Sequence, residues 1–382
     1  MEHINDFTIG RFRGLRDLKI ENLGQVNLFV GNNNSGKTSV LEAASLFSDP
    51  LNWRRWYDIG SQRELPNTPR TLFIDRLIWL FPREPIDNHN LLSKNTEILL
   101  SASGNSPITK VTAAYENFTE IVRGLTFTSP KTEELAEERE MEETEIEIEG
   151  IKVPVSVFVK PTQPTLFDVE TPYEETLTFS DNRLSSNFTK RQQIPTLPSQ
   201  IVNPFSHRTS SLTSQLWSEV VEANLKEETI KLLHFFDSGI QDVDFISPKE
   251  RRQLISIKHE KLGRVPLYTF GDGLRRVFTL AVAIPRVRGG LLLIDELETS
   301  IHTKALEKTF AWLVNACISN DVQLLATTHS LEALDAILEV SREQTDFVIY
   351  RLQQDKEQTK AIRFDKEMTL RLREELGMEL RY

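Results

Sequence analysis

Gly31-Asn32-Asn33-Asn34-Ser35-Gly36-Lys37-Thr38 is a complete phosphate-binding loop. It lies between the apolar run Val26-Asn27-Leu28-Phe29-Val30 and a helix-like stretch opening Ser39-Val40-Leu41-Glu42. The spacing carries the chemistry. Gly31 and Gly36 let the backbone wrap a polyphosphate with its N–H groups, Lys37 reaches the β and γ phosphates, and the Thr38 hydroxyl helps to hold Mg²⁺. The helix that follows adds its positive N-terminal end to the same anion site, so residues 31–38 with Ser39 form the candidate nucleotide site.

Working outward, Leu291-Leu292-Leu293-Ile294 is fully apolar and ends in Asp295-Glu296. Such a run reads as a central parallel strand buried on both faces, with the acids at the C-terminal edge where ligands bind. Asp295 is the candidate for the Mg²⁺ shell and Glu296 the group that polarises the attacking water. A third strand, Val322 to Thr328, ends at His329-Ser330, which places a hydrogen-bonding imidazole beside a γ phosphate. Upstream, Phe270-Gly271-Asp272-Gly273 leads into an apolar helix, where Gly271 and Gly273 present backbone N–H groups to a second phosphate.

Composition bounds the rest. A chain of 382 residues, 39% hydrophobic and 26% charged, buries a sizeable core and is neither fibrous nor disordered overall. One cysteine, Cys317, excludes an intramolecular disulfide framework, and no apolar run is long enough to span a bilayer. Residues 1–6 lack the basic and apolar regions of a signal peptide, so a soluble cytoplasmic protein is expected, with no membrane partner. The net charge of −11 argues against a chain that coats nucleic acid by bulk charge and leaves room for a local basic groove.

Residues Phe7 to Ile20 are spaced as two short strands with a turn near Gly14. Residues 49–82 read as irregular and as the start of an insertion, in which Glu97 to Ser101 and Ile151 to Val159 are strand-like. The acidic run Glu133 to Glu149 reads as a hairpin tip or mobile loop, with a partner-binding tail as the alternative. Residues 161–205, rich in Pro, Thr, Ser and Asn, read as a long loop. Helical periodicity covers Leu216 to Phe236, and a final hairpin is expected around Phe347 to Phe364.

The ordered set of Gly31 to Thr38, Phe270 to Gly273, Leu291 to Glu296 and His329 resembles the ATP-binding-cassette type of ATPase head. It is most similar to the soluble AAA-15/AAA-21 group, related to the ATPase portion of OLD-family proteins and more distantly to SMC and DNA-repair ATPases. The resemblance implies an α/β fold, an ABC-type P-loop head with a mixed central sheet interrupted by an α+β insertion. Residues 1–60 and 236–382 would form the head, and 61–235 the lateral region. It further implies a head-to-tail dimer or higher oligomer in which Gly271 and Gly273 act on the partner's ATP. Lys37 and Thr38 would bind phosphate and Mg²⁺, Asp295 the metal, Glu296 would be the base and His329 the switch. Glu298-Thr299-Ser300-Ile301-His302 occupies the place of the loop that couples the two sites, and Gln62 is the candidate for the metal-shell glutamine. The Phe270-Gly271-Asp272-Gly273 form departs from membrane transporters, whose segment reads Leu-Ser-Gly-Gly. OLD-family proteins continue into a Toprim nuclease domain, for which this sequence leaves no room. Effector chemistry is therefore expected in a separate protein, a Toprim-like nuclease or similar, with a role in prokaryotic antiviral defence. The alternative is a stand-alone DNA-binding clamp in repair or chromosome maintenance. There Arg11, Arg13 and Arg16, or Arg251 and Arg252, would meet phosphates instead of lying on a solvated surface.

Overall fold

The computed structural model describes residues 3–61, 73–83, 96–127, 141–161, 172–180, 193–209, 214–246, 254–341, 346–355 and 358–372. Strands β1 (Phe7–Phe12) and β2 (Leu15–Ile20) form the expected hairpin, followed by β3 (Val26–Val30) and helix α1 (Lys37–Ser48). Residues read as irregular hold two helices, α2 (Trp53–Ser61) and α3 (Phe73–Ile78). They form because Trp56, Ile59, Phe73 and Leu77 bury against the core, and the Trp56 indole donates to the Pro50 carbonyl at 2.8 Å. Here tertiary burial overrides weak local propensity.

Strands β4 (Ile98–Ala102), β5 (Ile108–Ala113), β6 (Glu116–Phe127), β7 (Met141–Val159) and β8 (Tyr173–Ser180) follow. With β1 and β2 they build a seven-stranded antiparallel sheet ordered β2-β1-β4-β5-β7-β6, with β8 also paired to β7. The second half of the acidic run thus lies in strand: Glu143, Glu145, Glu147 and Glu149 alternate along β7, opposite Leu125, Arg123, Ile121 and Thr119 of β6. Its first half lies outside the described residues, as do Gln62, Arg251 and Arg252.

The segment read as a long loop contains β8 and the four-residue β9 (Ser199–Val202). Beyond it come α4 (Ser206–Thr209), α5 (Ser214–Glu222) and α6 (Lys226–Phe236), so the single expected helical stretch is broken at 223–225. A three-stranded sheet of β10 (Ile240–Ile246), β11 (Leu254–His259) and β12 (Gly263–Pro266) precedes α7 (Asp272–Ala283). The chain then runs β13 (Leu291–Ile294), α8 (Thr303–Ser319), β14 (Gln323–Thr327) and α9 (Leu331–Val340). It continues through β15 (Phe347–Asp355), β16 (Gln358–Asp365) and α10 (Lys366–Leu370).

The central sheet is ordered β16-β15-β3-β14-β13-β9. Its four pairings from β15 to β9 are parallel and only β16 runs antiparallel, which makes it a mixed sheet. Both faces are covered. Val26, Leu28 and Val30 of β3 pack with α5 to α9, while Phe29 points into a second cluster shared with α1 and the antiparallel sheet. Eleven of the twelve residues of α1 are buried. A helix enclosed on all sides holds the loop at its N-terminus rigidly. The fold is an ABC-type P-loop α/β head with a mixed central sheet.

Candidate functional site

The loop after β3 is built on left-handed backbone, with φ of 139° at Gly31, 64° at Asn34 and 93° at Gly36. A Cβ on Gly31 would lie 2.4 Å from the Leu352 carbonyl, and one on Gly36 2.6 Å from Leu15 Cδ2. Glycine is therefore demanded twice, by torsion and by space. Lys37 Nζ arches back over the loop and donates to the carbonyls of Gly31 (2.7 Å) and Asn32 (2.9 Å). Burial pushes its ammonium down to about 8 against the opposing pull of Asp295, Glu296 and Glu298. Ser35 Oγ is buried with no hydrogen-bond partner, and α1 starts without a side-chain cap. Both features suit an anion that would satisfy these donors.

The parallel register carries the acids to the same edge. The Thr38 hydroxyl donates to the Asp295 carboxylate at 3.1 and 3.2 Å, and the Thr327 hydroxyl donates to Asp295 Oδ1 at 2.7 Å. Thr38 and Asp295 therefore fit a Mg²⁺ site. Among the described residues no group of three His, Cys, Asp or Glu side chains could hold an ion unaided, so phosphate oxygens and water would complete its shell.

Glu296 stands at φ 48°, a left-handed conformation that costs a non-glycine residue about 1–3 kcal/mol and persists only when its surroundings fix it. Three neighbours do so. The Glu296 N–H donates to Thr327 Oγ1 (2.9 Å), and the Thr299 hydroxyl donates to Glu296 Oε2 (2.9 Å). From α7, Arg276 Nη2 donates to the carbonyls of Asp295 (3.1 Å) and Glu296 (3.3 Å), while Nη1 donates to that of Asn203. Arg276 is fully buried, and burial lowers its guanidinium to about 10 although the three carboxylates oppose this. The sequence marked neither Arg276 nor Thr327. The available signal was the pair Arg275-Arg276 placed between Leu274 and Val277 on a helix that is apolar over most of its length.

His329 follows β14. Burial, seconded by Lys37, holds its imidazole below the ordinary histidine value against the pull of Glu296, Glu298 and Asp295. The neutral ring, one donor and one acceptor, is thus favoured near pH 7. Glu298 accepts from the Thr328 hydroxyl (2.7 Å) and from the backbone N–H groups of His329 (3.0 Å) and Ser330 (3.1 Å).

The structure links Lys37, Thr38, Asp295, Glu296 and His329 at one sheet edge. Gly271 and Gly273 stand at the start of α7, which reaches this group through Arg276 and meets the Ser300 carbonyl at Gly273. Their environments differ. Gly273 touches its own subunit, since a Cβ there would lie 2.8 Å from the Ser300 carbonyl, whereas one on Gly271 would meet nothing within 4 Å. Between them Asp272 pairs with Arg208 and with Arg275 (3.2 Å), and the Arg208 hydrogen bond holds its carboxyl below the usual range. The basic residues near the N-terminus are engaged within the fold. Arg13 Nε lies 2.7 Å from the buried Glu42 carboxylate, Arg11 donates to the Glu97 carbonyl, and Arg16 donates to those of Arg13, Leu15 and Arg83. The sequence also did not reveal a cleft of about 370 Å³ beside the loop, where Asn32, Asn33 and Ser35 face Arg351, Leu352, Gln353 and Gln354.

A mostly parallel sheet with a phosphate-binding loop after β3 and an acid pair after β13, with β14 between the two strands, is that of a P-loop ATPase of the ABC type. The family described as AAA domain, putative AbiEii toxin, Type IV TA system matches residues 26–335, and the chain belongs to it. It is an ATPase. The chain is 24% identical over 368 residues to a Helicobacter pylori protein named ATP/GTP phosphatase, covering 92% of this chain and 93% of that one. It is 33% identical over 112 residues to an uncharacterized protein of Methanocaldococcus jannaschii, covering 29% of this chain and 98% of that one. Among solved structures it is similar to an SMC head bound to the C-winged helix domain of ScpA. That likeness has a TM-score of 0.48 at 12% identity over 96% of this chain and 100% of that one.

Proposed function

We propose that the chain hydrolyses Mg²⁺-bound ATP and that ATP closes two heads head to tail, the closed state controlling a separate effector. The observation that carries the hydrolytic reading is the Thr38–Asp295–Thr327 contact set, with Lys37 on one side and Glu296 on the other. The γ phosphate would sit under Lys37 and the N-terminus of α1. Thr38 and Asp295 would hold Mg²⁺, which when bound neutralises phosphate charge. Glu296, fixed by Thr299 and Thr327, accepts the proton of the attacking water as its oxygen bonds to phosphorus and the bond to ADP breaks. His329 donates a hydrogen bond to the phosphate oxygens. The name of the Helicobacter pylori relative supports hydrolysis of either ATP or GTP.

Gly271 supports closure of two heads. Its φ of −61° suits any residue and its missing side chain leaves open space, so nothing inside the subunit requires glycine there, while a phosphate or backbone approaching from outside would. The family description, with its putative toxin of a type IV toxin–antitoxin system, supports a setting in prokaryotic defence. A nuclease is the effector that the resemblance to OLD-family proteins favours. The DNA-clamp reading has less support, because Arg11, Arg13 and Arg16 are engaged within the fold.

The test is solution mass by light scattering for Glu296→Gln with and without Mg²⁺ and ATP, beside Lys37→Ala. A mass that doubles with ATP and fails to do so in Lys37→Ala is expected. An unchanged monomer would overturn the shared-site mechanism.

A further inference from the structure

We propose that Glu298 is the positioning residue of the switch histidine: its carboxylate fixes the backbone that carries His329, and hydrolysis depends on it through His329. The inference rests on the reading of His329 given above. Three donors converge on this one side chain, the Thr328 hydroxyl at 2.7 Å and the consecutive N–H groups of His329 and Ser330 at 3.0 and 3.1 Å. An ionised carboxylate only accepts, and its bonds to backbone N–H groups are charge-assisted, so this is among the stronger anchors a loop can have.

The location gives the anchor its consequence. Residues 328–330 are the hinge between β14 and α9, whose first turn is capped by Ser330 Oγ accepting from Ala333 N at 3.1 Å. Without Glu298, the His329 N–H at this hinge loses its acceptor, the Ser330 N–H is left with Thr328 Oγ1 at 3.0 Å, and the imidazole loses its fixed base. The hinge holds the imidazole within charge range of Lys37, Glu296 and Asp295, the other groups of the candidate site. A second link runs the other way along the same loop. Ser300, two residues after Glu298 and at φ 65°, sets its carbonyl where a Cβ on Gly273 would lie 2.8 Å away. The first turn of α7, which presents Gly271 outward, is thereby tied through residues 298–300 to the position of His329.

Two substitutions separate geometry from charge. In Glu298→Gln the carboxamide oxygen can accept from the two backbone N–H groups while its NH₂ donates to Thr328 Oγ1, so the anchor survives without its charge. Glu298→Ala removes it. Because misplacement by about 1 Å can lower a rate about 100-fold, Glu298→Ala is expected to reduce ATP turnover about 10- to 100-fold. Glu298→Gln should stay within about 5-fold of the parent, since each hydrogen bond has a substitute. The affinity for a fluorescent ATP analogue, governed by residues 31–39, should change less than about 3-fold in either variant, which separates kcat from binding.

The deciding measurement is a double-mutant cycle in the full-length chain. If Glu298 acts through His329, adding Glu298→Ala to His329→Ala lowers turnover by less than about 3-fold. A full additional loss in the double variant overturns the positioning role and leaves the hydrolytic reading standing. Unchanged turnover in His329→Ala overturns the switch assignment itself, and this proposal with it. If Glu298→Ala melts out before assay, Glu298→Gln decides alone: a loss as large as about 100-fold in a folded protein means that the charge, not the anchored geometry, matters, and the proposal fails.

Discussion

The two large sheets share a hydrophobic cluster around α1, yet they treat their strand ends in opposite ways. In the parallel part of the six-stranded sheet, β3, β13 and β14 all finish at one edge, so Thr38, Asp295 and Thr327 meet although they are far apart in the chain. In the seven-stranded sheet neighbouring strands finish at opposite edges, which disperses their ends. At Gly36 it approaches the phosphate loop with an aliphatic side chain, that of Leu15. Chemistry thus collects where connection geometry brings termini together, and the antiparallel sheet serves by packing.

Substitutions at matching positions can break this comparison. The largest effect is expected for Glu296→Gln, which should lower turnover about 100- to 10,000-fold while ATP still binds, as for loss of a general base. Retained turnover in a single-turnover assay would remove Glu296 from the mechanism. Gly31→Ala comes next. With φ at 139° and the Leu352 carbonyl 2.4 Å from the new Cβ, it should cost about 1–3 kcal/mol in denaturant melts and abolish nucleotide binding. In the other sheet, Val155→Ala removes a buried group of β7 and should cost about 1–3 kcal/mol while leaving kcat unchanged. A fall in kcat beyond what unfolding explains would mean that the antiparallel sheet contributes more than packing.

The pH dependence sharpens the picture further. Lys37 is lowered from 10.5 to about 8 in the nucleotide-free fold. Between these values the unfolded chain holds the proton more tightly, so this group's contribution favours folding increasingly as pH rises through that window. Nucleotide favours the ammonium form, and ATP affinity should therefore weaken as pH rises through about 8. Titration of Kd from pH 7 to 9.5 checks the sign, and a flat profile would show Lys37 to be unperturbed. The smallest effect belongs to Gly14→Ala, whose Cβ would meet nothing within 4 Å and whose φ is not left-handed, with a change within about 0.5 kcal/mol in melting experiments.

Legibility followed the same division. The strands β3, β13 and β14 were readable because burial on both faces forces continuous apolar runs, and residues 31–38 because polyphosphate binding permits few alternatives. The helices α2 and α3 were missed. Arg54 and Arg55, the nearby prolines and Gly60 obscure a helical face that exists only because Trp56 and Phe73 find partners in Phe81 and Phe179. β9 was missed because four residues, Ser199-Gln200-Ile201-Val202, carry no period, and pairing with β13 makes them a strand.

By itself the sequence determined the nucleotide loop, the acid pair, the histidine after the third strand and an α/β head around them, because each is local chemistry written in consecutive residues. Only the tertiary structure decided that Arg276 supports the acid-pair backbone, that Glu298 anchors the histidine, that Arg13 is paired with Glu42, and that Gly273 serves packing while Gly271 faces outward. Those are relations between residues distant in the chain, set by strand order and by the space left between elements, and no local pattern encodes them.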